Sequence, residues 1–266
     1  MCGILGVVVN KKSDKLIKNL FDLFYFQKDR GTKGAGISIN QGDSLFRFRS
    51  YSPFRLFAVY NKDLWNYIQN DDRVLIHHRI PTSTPNAPFF NHPISNEEET
   101  IHLIHNGVVW NDTELFNKLK SKHKFDTYDK RLKKFTDSEV IIHLFEDKVG
   151  NVGVKEALKY IYKKVSGSFA FALQIAGDKN IYLMKHSNPI VISKDDDNNF
   201  YFSSELDDGN DNFKKVHEME EGEIGLLNSK GYKKLHKFDT FVVNDSVYDE
   251  GNLNHYGHTK WNWRNW

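Results

Sequence analysis

The chain has 266 residues, of which 39% are hydrophobic and 14% aromatic, and its formal net charge is +2. This length suits one large domain or two small ones, and the composition is typical of a folded globular protein. The near-neutral charge gives no electrostatic reason to expect binding to nucleic acid or to a membrane. The single cysteine, Cys2, excludes an intrachain disulfide and a multi-thiolate metal site. We therefore expect a free thiol in a reducing compartment, the cytoplasm.

The N-terminal segment does not have the pattern of a targeting signal. Its apolar run from Ile4 to Val9 is shorter than a signal-peptide core and has no basic stretch before it. Glycine stands at position 3 instead of 2, so the myristoylation pattern is absent, and no segment approaches the roughly 20 apolar residues that span a bilayer. Cys2 is therefore either a small buried residue or a nucleophile.

The hydrophobic pattern predicts strands mixed with a few helices. A β-branched run predicts a strand over residues 4–9, and apolar residues at three- and four-residue spacing predict a helix over 14–26, capped by Ser13 or Asp14. Short apolar runs between Gly, Asn or Asp residues predict further strands at 35–39, 45–48, 74–78, 101–105, 169–175, 181–184, 190–193, 200–203 and 223–227. Amphipathic spacing predicts helices at 112–122, 137–148 and 154–164. These elements are typical of antiparallel sheets covered by helices.

Two segments depart from this regular pattern. Residues 118–135 are basic and weakly periodic, which is typical of a solvated helix end and loop, although a docking patch for an anionic partner remains open. Residues 236–266 form an aromatic-rich tail that could pack on its own domain or on a subunit, or could stack on bases. With no linker and no internal repeat, we expect one domain over 1–235 followed by this tail.

Cys2 would become a catalytic group if Met1 were removed, as is usual before a small second residue. The exposed α-amine has an ordinary pKa of about 7.7–8.0 and a thiol one of about 8.5. Near neutrality the amine could therefore accept the thiol proton through a bridging water, without a histidine base. The alternative is a buried cysteine with no chemical role.

Several short motifs occur behind Cys2 in a characteristic order. They are MCGILG at the start, RGTKGAGI at 30–37, HHRIPT at 77–82, NHP at 91–93, HNGVVWN at 105–111 and TDSEVIIHL at 136–144. In this order they resemble the class II glutamine amidotransferases, whose glutaminase domain belongs to the N-terminal nucleophile hydrolases. The resemblance extends to about residue 227. It implies an α+β fold, a four-layer αββα sandwich of two antiparallel sheets between helix layers.

The resemblance also implies a role for each matching residue. Cys2 would attack the side-chain amide of L-glutamine, release ammonia and form a thioester that water cleaves. Asn106 and the backbone N–H of Gly107 would form the oxyanion hole. Arg79 would pair with the substrate carboxylate and Asp137 with its ammonium group, which would select free glutamine. No cofactor is implied.

Other positions match the family segments less directly or depart from them. Arg30 and Thr82 lie inside matching motifs and are further expected substrate-binding residues. The family usually has aspartate where Lys33 stands, an aromatic residue where Ile80 stands and asparagine where Phe90 stands. Ile80 bears on function most, because the family aromatic belongs to a loop that closes over bound glutamine.

A metal site is not expected from this sequence. The histidines that could suggest zinc lie on separate predicted strands and loops without metal-ligand spacing: His77, His78, His92 and His105. Each proposed active-site residue could also have a purely structural role. The Asn106–Gly107 pair could be a hairpin turn, Asp137 a helix cap and Arg79 part of a surface ion pair.

The resemblance leaves several functions open. We expect a glutaminase module that delivers ammonia to a separate synthase subunit, with a possible homo-oligomer and with neither nucleic acid nor membrane as partner. A different N-terminal nucleophile amidohydrolase would keep Cys2 and Asn106 but tolerate loss of Arg79. The motifs are also compatible with a synthase subunit resembling the amino-terminal half of asparagine synthetase, and with a non-catalytic binding or structural protein that has this fold.

Overall fold

Two antiparallel sheets form the centre of the molecule in the computed structural model, which describes residues 2–53, 56, 66–81, 84–207 and 209–239. In chain order the strands are β1 (Gly3–Val8), β2 (Gly34–Gln41), β3 (Ser44–Ser50), β4 (Arg73–Arg79), β5 (Ile94–Ser95), β6 (Ile101–Val109), β7 (Gly167–Ile175), β8 (Ile181–His186), β9 (Val191–Lys194), β10 (Phe200–Ser203), β11 (Lys214–Glu218), β12 (Glu223–Asn228) and β13 (Gly231–Lys237). The first sheet has the order β11-β9-β10-β1-β4-β2-β3 and the second the order β13-β12-β8-β7-β6-β5.

The helices lie outside these sheets and begin where local signals predict. They are α1 (Asp14–Phe26), α2 (Asp112–Leu119) and α3 (Glu139–Lys164). The hydroxyl of Ser13 accepts a hydrogen bond from the backbone N–H of Leu16, which makes Ser13 the cap of α1. Gly153 has a φ of 75° and kinks α3, so the two helices predicted over 137–148 and 154–164 are two parts of this kinked helix.

Side-chain alternation along β1 explains the layered packing. Leu5 and Val7 pack with α1, whereas Ile4 and Val8 pack against the second sheet. A third apolar cluster joins the outer face of the second sheet to α2 and α3. Because successive residues of a strand face opposite sides, one strand contributes to two cores. The layers are therefore helix, sheet, sheet and helix, and the expected αββα sandwich is confirmed.

The strands absent from the sequence prediction all lie at sheet edges. β11 is an edge strand of the first sheet, and β13 and β5 are the two edge strands of the second sheet. β11 and β13 both carry lysines, β11 is largely exposed and β13 is partly exposed, and β5 has two residues. Edge strands are commonly short or charged, which removes the apolar run that identifies a buried strand.

The irregular segments are only partly covered by the structure. Within 118–135, Phe125, Tyr128 and Phe135 pack around Phe116 of α2, while most of the lysines are exposed. A docking role for this segment stays a prediction. The domain boundary after residue 235 also stays a prediction, since residues 240–266 lie outside the described part. Among the described residues, no helix combines the length and the apolar character needed to cross a bilayer.

We predict opposite effects for two glycine-to-alanine substitutions. A Cβ at Gly6 would lie 2.2 Å from the carbonyl oxygen of Val74 and 2.4 Å from the Phe202 ring, so Gly6→Ala should lower the free energy of unfolding by about 1–3 kcal/mol. A Cβ at Gly150, in α3, would meet no atom within 4 Å, so Gly150→Ala should raise it by about 0.5–1 kcal/mol. Urea denaturation measures both. Equal effects of the two substitutions would contradict this packing.

We also predict a pH dependence of stability from His78. Its ring packs on Phe24 with centroids 3.9 Å apart, and burial lowers its pKa to about 4. Below the unfolded pKa of about 6.5, the unfolded chain binds a proton that the folded chain excludes, so stability falls by about 1.4 kcal/mol per pH unit. Between pH 7 and pH 5, the free energy of unfolding of the His78→Gln variant should therefore fall by about 2 kcal/mol less than that of the unmodified chain.

The control is His236→Gln, because His236 is partly exposed in the edge strand β13. This substitution should change the pH dependence much less. Urea denaturation at both pH values gives the comparison. An unchanged dependence in His78→Gln would mean that His78 does not contribute to acid sensitivity.

Candidate active site

Strand alternation brings the expected catalytic residues to one side of their strands. Ile4 faces the gap between the sheets, so Cys2, two residues earlier, is placed toward the same gap. Asn106 lies two residues after Ile104, which also faces this gap from β6. Arg79 is the last residue of β4, the strand paired with β1. Residues far apart in sequence thus meet because the inner faces of both sheets line the same gap.

A small cavity lies at this end of the sheets. Its volume is about 30 Å³, and its walls include four of the predicted site residues, Cys2, Arg79, Gly107 and Asp137. This volume is about that of one water molecule in the liquid. Ile80 also lines the cavity. The residue that departs from the family aromatic is therefore next to Cys2.

Cys2 is held by the backbone of Ile80. The backbone N–H of Ile80 lies 3.5 Å from the Cys2 sulfur, and the Ile80 carbonyl oxygen lies 3.8 Å from it. Burial raises the pKa of the thiol, although this N–H and the charge of Arg79 act in the opposite direction. The thiol is therefore protonated at neutral pH, and a nucleophilic reaction requires a nearby proton acceptor.

Arg79 carries a buried charge whose hydrogen-bond partners are neutral. Its Nη1 donates to the side-chain oxygen of Asn91 at 2.9 Å and to the Pro85 carbonyl at 3.2 Å, and its Nη2 donates to the Thr84 hydroxyl. Among the described residues, no carboxylate lies within 4 Å of the guanidinium. These contacts fix the side chain without neutralising it, which suits the binding of an anion.

Asn106 has a donor that the protein leaves unused. The residue is 1% exposed, and its side-chain Nδ2 has no hydrogen-bond partner among the described residues. The Asn106 carbonyl accepts a hydrogen bond from Asn188 at 2.9 Å, which holds the backbone at this point. A buried unpaired donor is costly, so its retention is expected where it serves a ligand or a developing charge. Asn106 itself is not part of the cavity wall, whereas the adjacent Gly107 is.

Gly107 cannot be replaced without moving the neighbouring strand. Its φ is 149°, and a Cβ at this position would lie 1.9 Å from the carbonyl oxygen of Ser168 in β7. The Asn106–Gly107 pair lies within β6 and pairs with Ala170 and Phe169 of β7. It is therefore not the hairpin turn that its sequence alone permits.

Asp137 lies directly before α3, at the edge of the cavity. Its Oδ2 accepts a hydrogen bond from the backbone N–H of Val109 at 2.8 Å, and its Oδ1 lies 3.3 Å from the Ser138 hydroxyl. The carboxylate is partly exposed and fixed between β6 and the start of α3. It can therefore accept a cationic group of a ligand in the cavity.

A buried polar network in the cavity wall was not predicted from the sequence. The Ser138 hydroxyl lies 2.8 Å from His92 Nε2 and 2.8 Å from His105 Nδ1. Burial lowers the pKa of His77, His92 and His105, so these rings are neutral at neutral pH. His77 Nε2 donates to the His105 carbonyl at 3.0 Å. The network supports the cavity wall without adding charge to it.

Arg30 is another predicted substrate-binding residue, and it does not line the cavity. Arg30 Nε donates to the Cys2 carbonyl at 3.2 Å, and its Nη1 pairs with Glu205, so its visible contact is with the backbone of the nucleophile residue. A contact of Arg30 with substrate stays a prediction. Thr82 lies outside the described residues. Lys33 is exposed and does not line the cavity.

Histidines do come together in the structure, in two separate places. The rings of His77 and His92 are 4.2 Å apart by centroids beside the cavity, within the network that Ser138 completes. A different group, His123 and His143 with Glu97 and Glu146, has the ligand atoms and spacing that could hold a metal ion. This group lies outside the cavity.

The sequence of this chain is similar to those of known proteins. Residues 83–208 match a family described as a glutamine amidotransferase domain. The chain is 31% identical over 206 residues to glutamine–fructose-6-phosphate aminotransferase of Campylobacter jejuni, covering 77% of this chain and 32% of that protein. It is 27% identical over 267 residues to the Helicobacter pylori enzyme of the same name, covering 96% and 41%. The chain thus spans well under half the length of these relatives.

Solved structures have the same fold at lower identity. Glutamine phosphoribosylpyrophosphate amidotransferase from B. subtilis aligns with a TM-score of 0.66 at 21% identity, covering 88% of this chain and 49% of that one. A structure described as the allosteric regulatory enzyme of purine biosynthesis aligns with a TM-score of 0.68 at 21% identity, covering 88% and 48%. From the sequence matches, the shared fold and the N-terminal motif order, the chain belongs to the class II glutamine amidotransferases, whose glutaminase domain has the N-terminal nucleophile hydrolase fold.

Proposed function

We propose that this chain hydrolyses the side-chain amide of free L-glutamine with Cys2 as the nucleophile. One observation carries the proposal. A thiol, a buried guanidinium without a carboxylate partner and a fixed carboxylate line one cavity, as Cys2, Arg79 and Asp137. Free glutamine offers an amide carbon, a carboxylate and an ammonium group to these three side chains.

The proposed reaction begins with removal of Met1, which frees the α-amine of Cys2. The amine accepts the thiol proton, and the sulfur attacks the amide carbon to form a tetrahedral oxyanion. The unused Nδ2 donor of Asn106 and the N–H of Gly107 stabilise the oxyanion. Collapse transfers the proton to the leaving nitrogen, releases ammonia and leaves a γ-glutamyl thioester. Water then hydrolyses the thioester to glutamate and restores the thiol.

Substrate selection follows from the two opposite charges at the cavity. Arg79 pairs with the α-carboxylate, since its guanidinium can offer parallel donors to two carboxylate oxygens. Asp137 accepts the α-ammonium group. A glutamine residue inside a peptide lacks both charged groups and is therefore rejected. Because the cavity holds about one water molecule, substrate binding requires its walls to open.

The ammonia acceptor belongs to a synthase, either a separate subunit or a further domain. The aligned relatives are about two to three times as long as the region they share with this chain, and their names describe aminotransferases that use glutamine. We propose delivery in trans, in the cytoplasm, where a reducing environment keeps the thiol free. A homo-oligomer and docking through residues 118–134 or the tail are further parts of this proposal.

The first experiment is mass analysis of the N-terminal peptide after incubation with an electrophilic glutamine analogue. We expect loss of Met1 and one adduct on Cys2. Free glutamine should protect the thiol, whereas a peptide-internal glutamine should not. A retained Met1 together with an unmodified thiol would contradict the proposed catalytic role and favour a non-catalytic binding or structural protein.

Substitution of Arg79 separates glutaminase activity from other amidohydrolase activities. Arg79→Ala should abolish saturation with glutamine, and Arg79→Lys should raise KM more than it lowers kcat, because lysine keeps the charge but loses the paired donors. Asn106→Ala should lower kcat by about 10²–10³-fold. Steady-state ammonia release measures all three. Normal glutamine hydrolysis by Arg79→Ala would favour an amidohydrolase that does not read the α-carboxylate.

The raised pKa of Cys2 gives a pH prediction. In a chain whose N-terminus is blocked by an extension, alkylation of Cys2 by iodoacetamide should increase with pH and have a midpoint above the ordinary thiol value of about 8.5. In the chain that begins at Cys2, the α-amine is charged at low pH and stabilises the thiolate, so the midpoint should be lower. Identical profiles would mean that the amine does not act on the thiol.

A further inference from the structure

A second group of titratable side chains lies away from the cavity, on the outer side of the second sheet. Its four members come from three segments: Glu97 from the turn before β6, His123 from the segment after α2, and His143 and Glu146 from α3. His143 is fully buried, and the other three are about 10–26% exposed. Four ligand atoms, one from each residue, lie within 4.8 Å of one another.

The distances in this group differ from those of strong ion pairs. His123 Nδ1 lies 3.4 Å from a Glu97 oxygen and 3.3 Å from Glu146 Oε2. His143 Nδ1 lies 3.4 Å from the same Glu146 oxygen and 3.7 Å from Glu97 Oε2, whereas His123 faces Glu97 Oε1. Charge-assisted hydrogen bonds between nitrogen and carboxylate are shorter, about 2.7–2.9 Å. Each Nδ1 also faces two carboxylates, although one proton can point to only one of them.

The same distances fit a tetrahedral metal site. Zinc-to-ligand distances of about 2.0–2.1 Å place neighbouring ligand atoms about 3.3–3.4 Å apart in a tetrahedron. Both distances to Glu146 Oε2 and the distance from His123 Nδ1 to Glu97 Oε1 agree with this spacing. The longer distance, from His143 Nδ1, is to the other Glu97 oxygen, Oε2. Two imidazoles and two carboxylates are a donor set that zinc accepts. Their two negative charges, with both rings neutral, balance one divalent cation.

The surroundings orient these groups as neighbours of metal ligands usually do. The other ring nitrogen of His123, Nε2, lies 3.1 Å from Asp147 Oδ1. A carboxylate that accepts the second ring proton fixes the tautomer and the ring direction in metal sites. Asn96 donates to Glu146 Oε1 at 2.9 Å, which leaves Oε2 facing the rings. The N–H of Lys124 donates to Glu97 at 2.7 Å.

We propose that one zinc ion binds to the site formed by four side chains, Glu97, His123, His143 and Glu146. With four protein ligands and no open position, the ion would stabilise the structure and take no part in catalysis. It would tie the turn before β6 and the segment after α2 to α3. This inference is independent of the proposed glutaminase activity.

The test uses the full chain, treated with a chelator and then titrated with zinc chloride. We expect one zinc ion per chain by elemental analysis and calorimetry. At zinc concentrations about 100 times the Kd, Tm should rise by about 5–10 °C. Cobalt(II) should give the intense visible absorption of a tetrahedral site, without the sulfur-to-cobalt band that Cys2 would produce.

Two substitutions assign the ligands, since both residues are partly exposed and both replacements keep the approximate side-chain size. Loss of a residue that hydrogen-bonds to a metal ligand typically weakens metal binding roughly 10–100-fold. Because His123→Gln and Glu146→Gln each remove a ligand itself, each should weaken zinc binding by more than this. His186→Gln is the matched control, because it removes a histidine paired with a carboxylate, Glu221, elsewhere on the second sheet. It should leave zinc binding unchanged.

Two results would overturn the inference. The first is a chelated chain that takes up no zinc and shows no cobalt spectrum, which would identify the group as a network of protonated histidines and carboxylates. The second is equal zinc affinity in His123→Gln, Glu146→Gln and the control His186→Gln. This would show that the ion binds elsewhere. The cobalt spectrum of the unmodified chain keeps the test decisive even if a variant fails to fold.

Discussion

The packing of the two sheets against each other is the constraint on which the site depends. Apolar side chains from both sheets fill the gap between them, including Ile4 of β1 and Ile104 of β6. In a strand, a shift of one residue would turn every side chain to the opposite face and expose this core. The apolar pattern therefore also fixes the direction of the polar residues that share its parity, Cys2 and Asn106. The positions of these two candidate site residues are thus a consequence of core packing.

Burial at the end of that gap determines the electrostatics of the site. His92 and His105, which line the cavity, have a lowered pKa and stay neutral, so they do not compete with Arg79 for an anion. Arg79 is held by neutral oxygens, which preserves its charge for a ligand. The same burial raises the pKa of Cys2 and suppresses its spontaneous ionisation. In the proposed mechanism, the buried thiol would therefore depend on a proton acceptor, the α-amine of Cys2.

Sequence reasoning succeeded where short-range chemistry determines structure. The cap at Ser13, the bounds of α1 and most central strands follow from local residue patterns. It failed at the edge strands, where lysines replace the apolar run, whereas the predicted break between the helices over 137–148 and 154–164 is found at the non-helical Gly153. The polar contacts could not be predicted from the sequence, for a different reason. Partners such as Ser138 and His92 are 46 residues apart and have no characteristic spacing, so only the folded chain brings them together.

Helix α3 connects the two sites through its rigid N-terminal part. Asp137 and Ser138 precede this helix at the cavity, and His143 and Glu146 lie one to two turns further along it, before the kink at Gly153. A cation at the second site would hold these turns against the turn before β6, and so fix the start of the helix. Because Asp137 also accepts a hydrogen bond from β6, its carboxylate is fixed from both sides. The position of Asp137, the proposed partner of the substrate ammonium group, would then depend on the stability of a site outside the cavity.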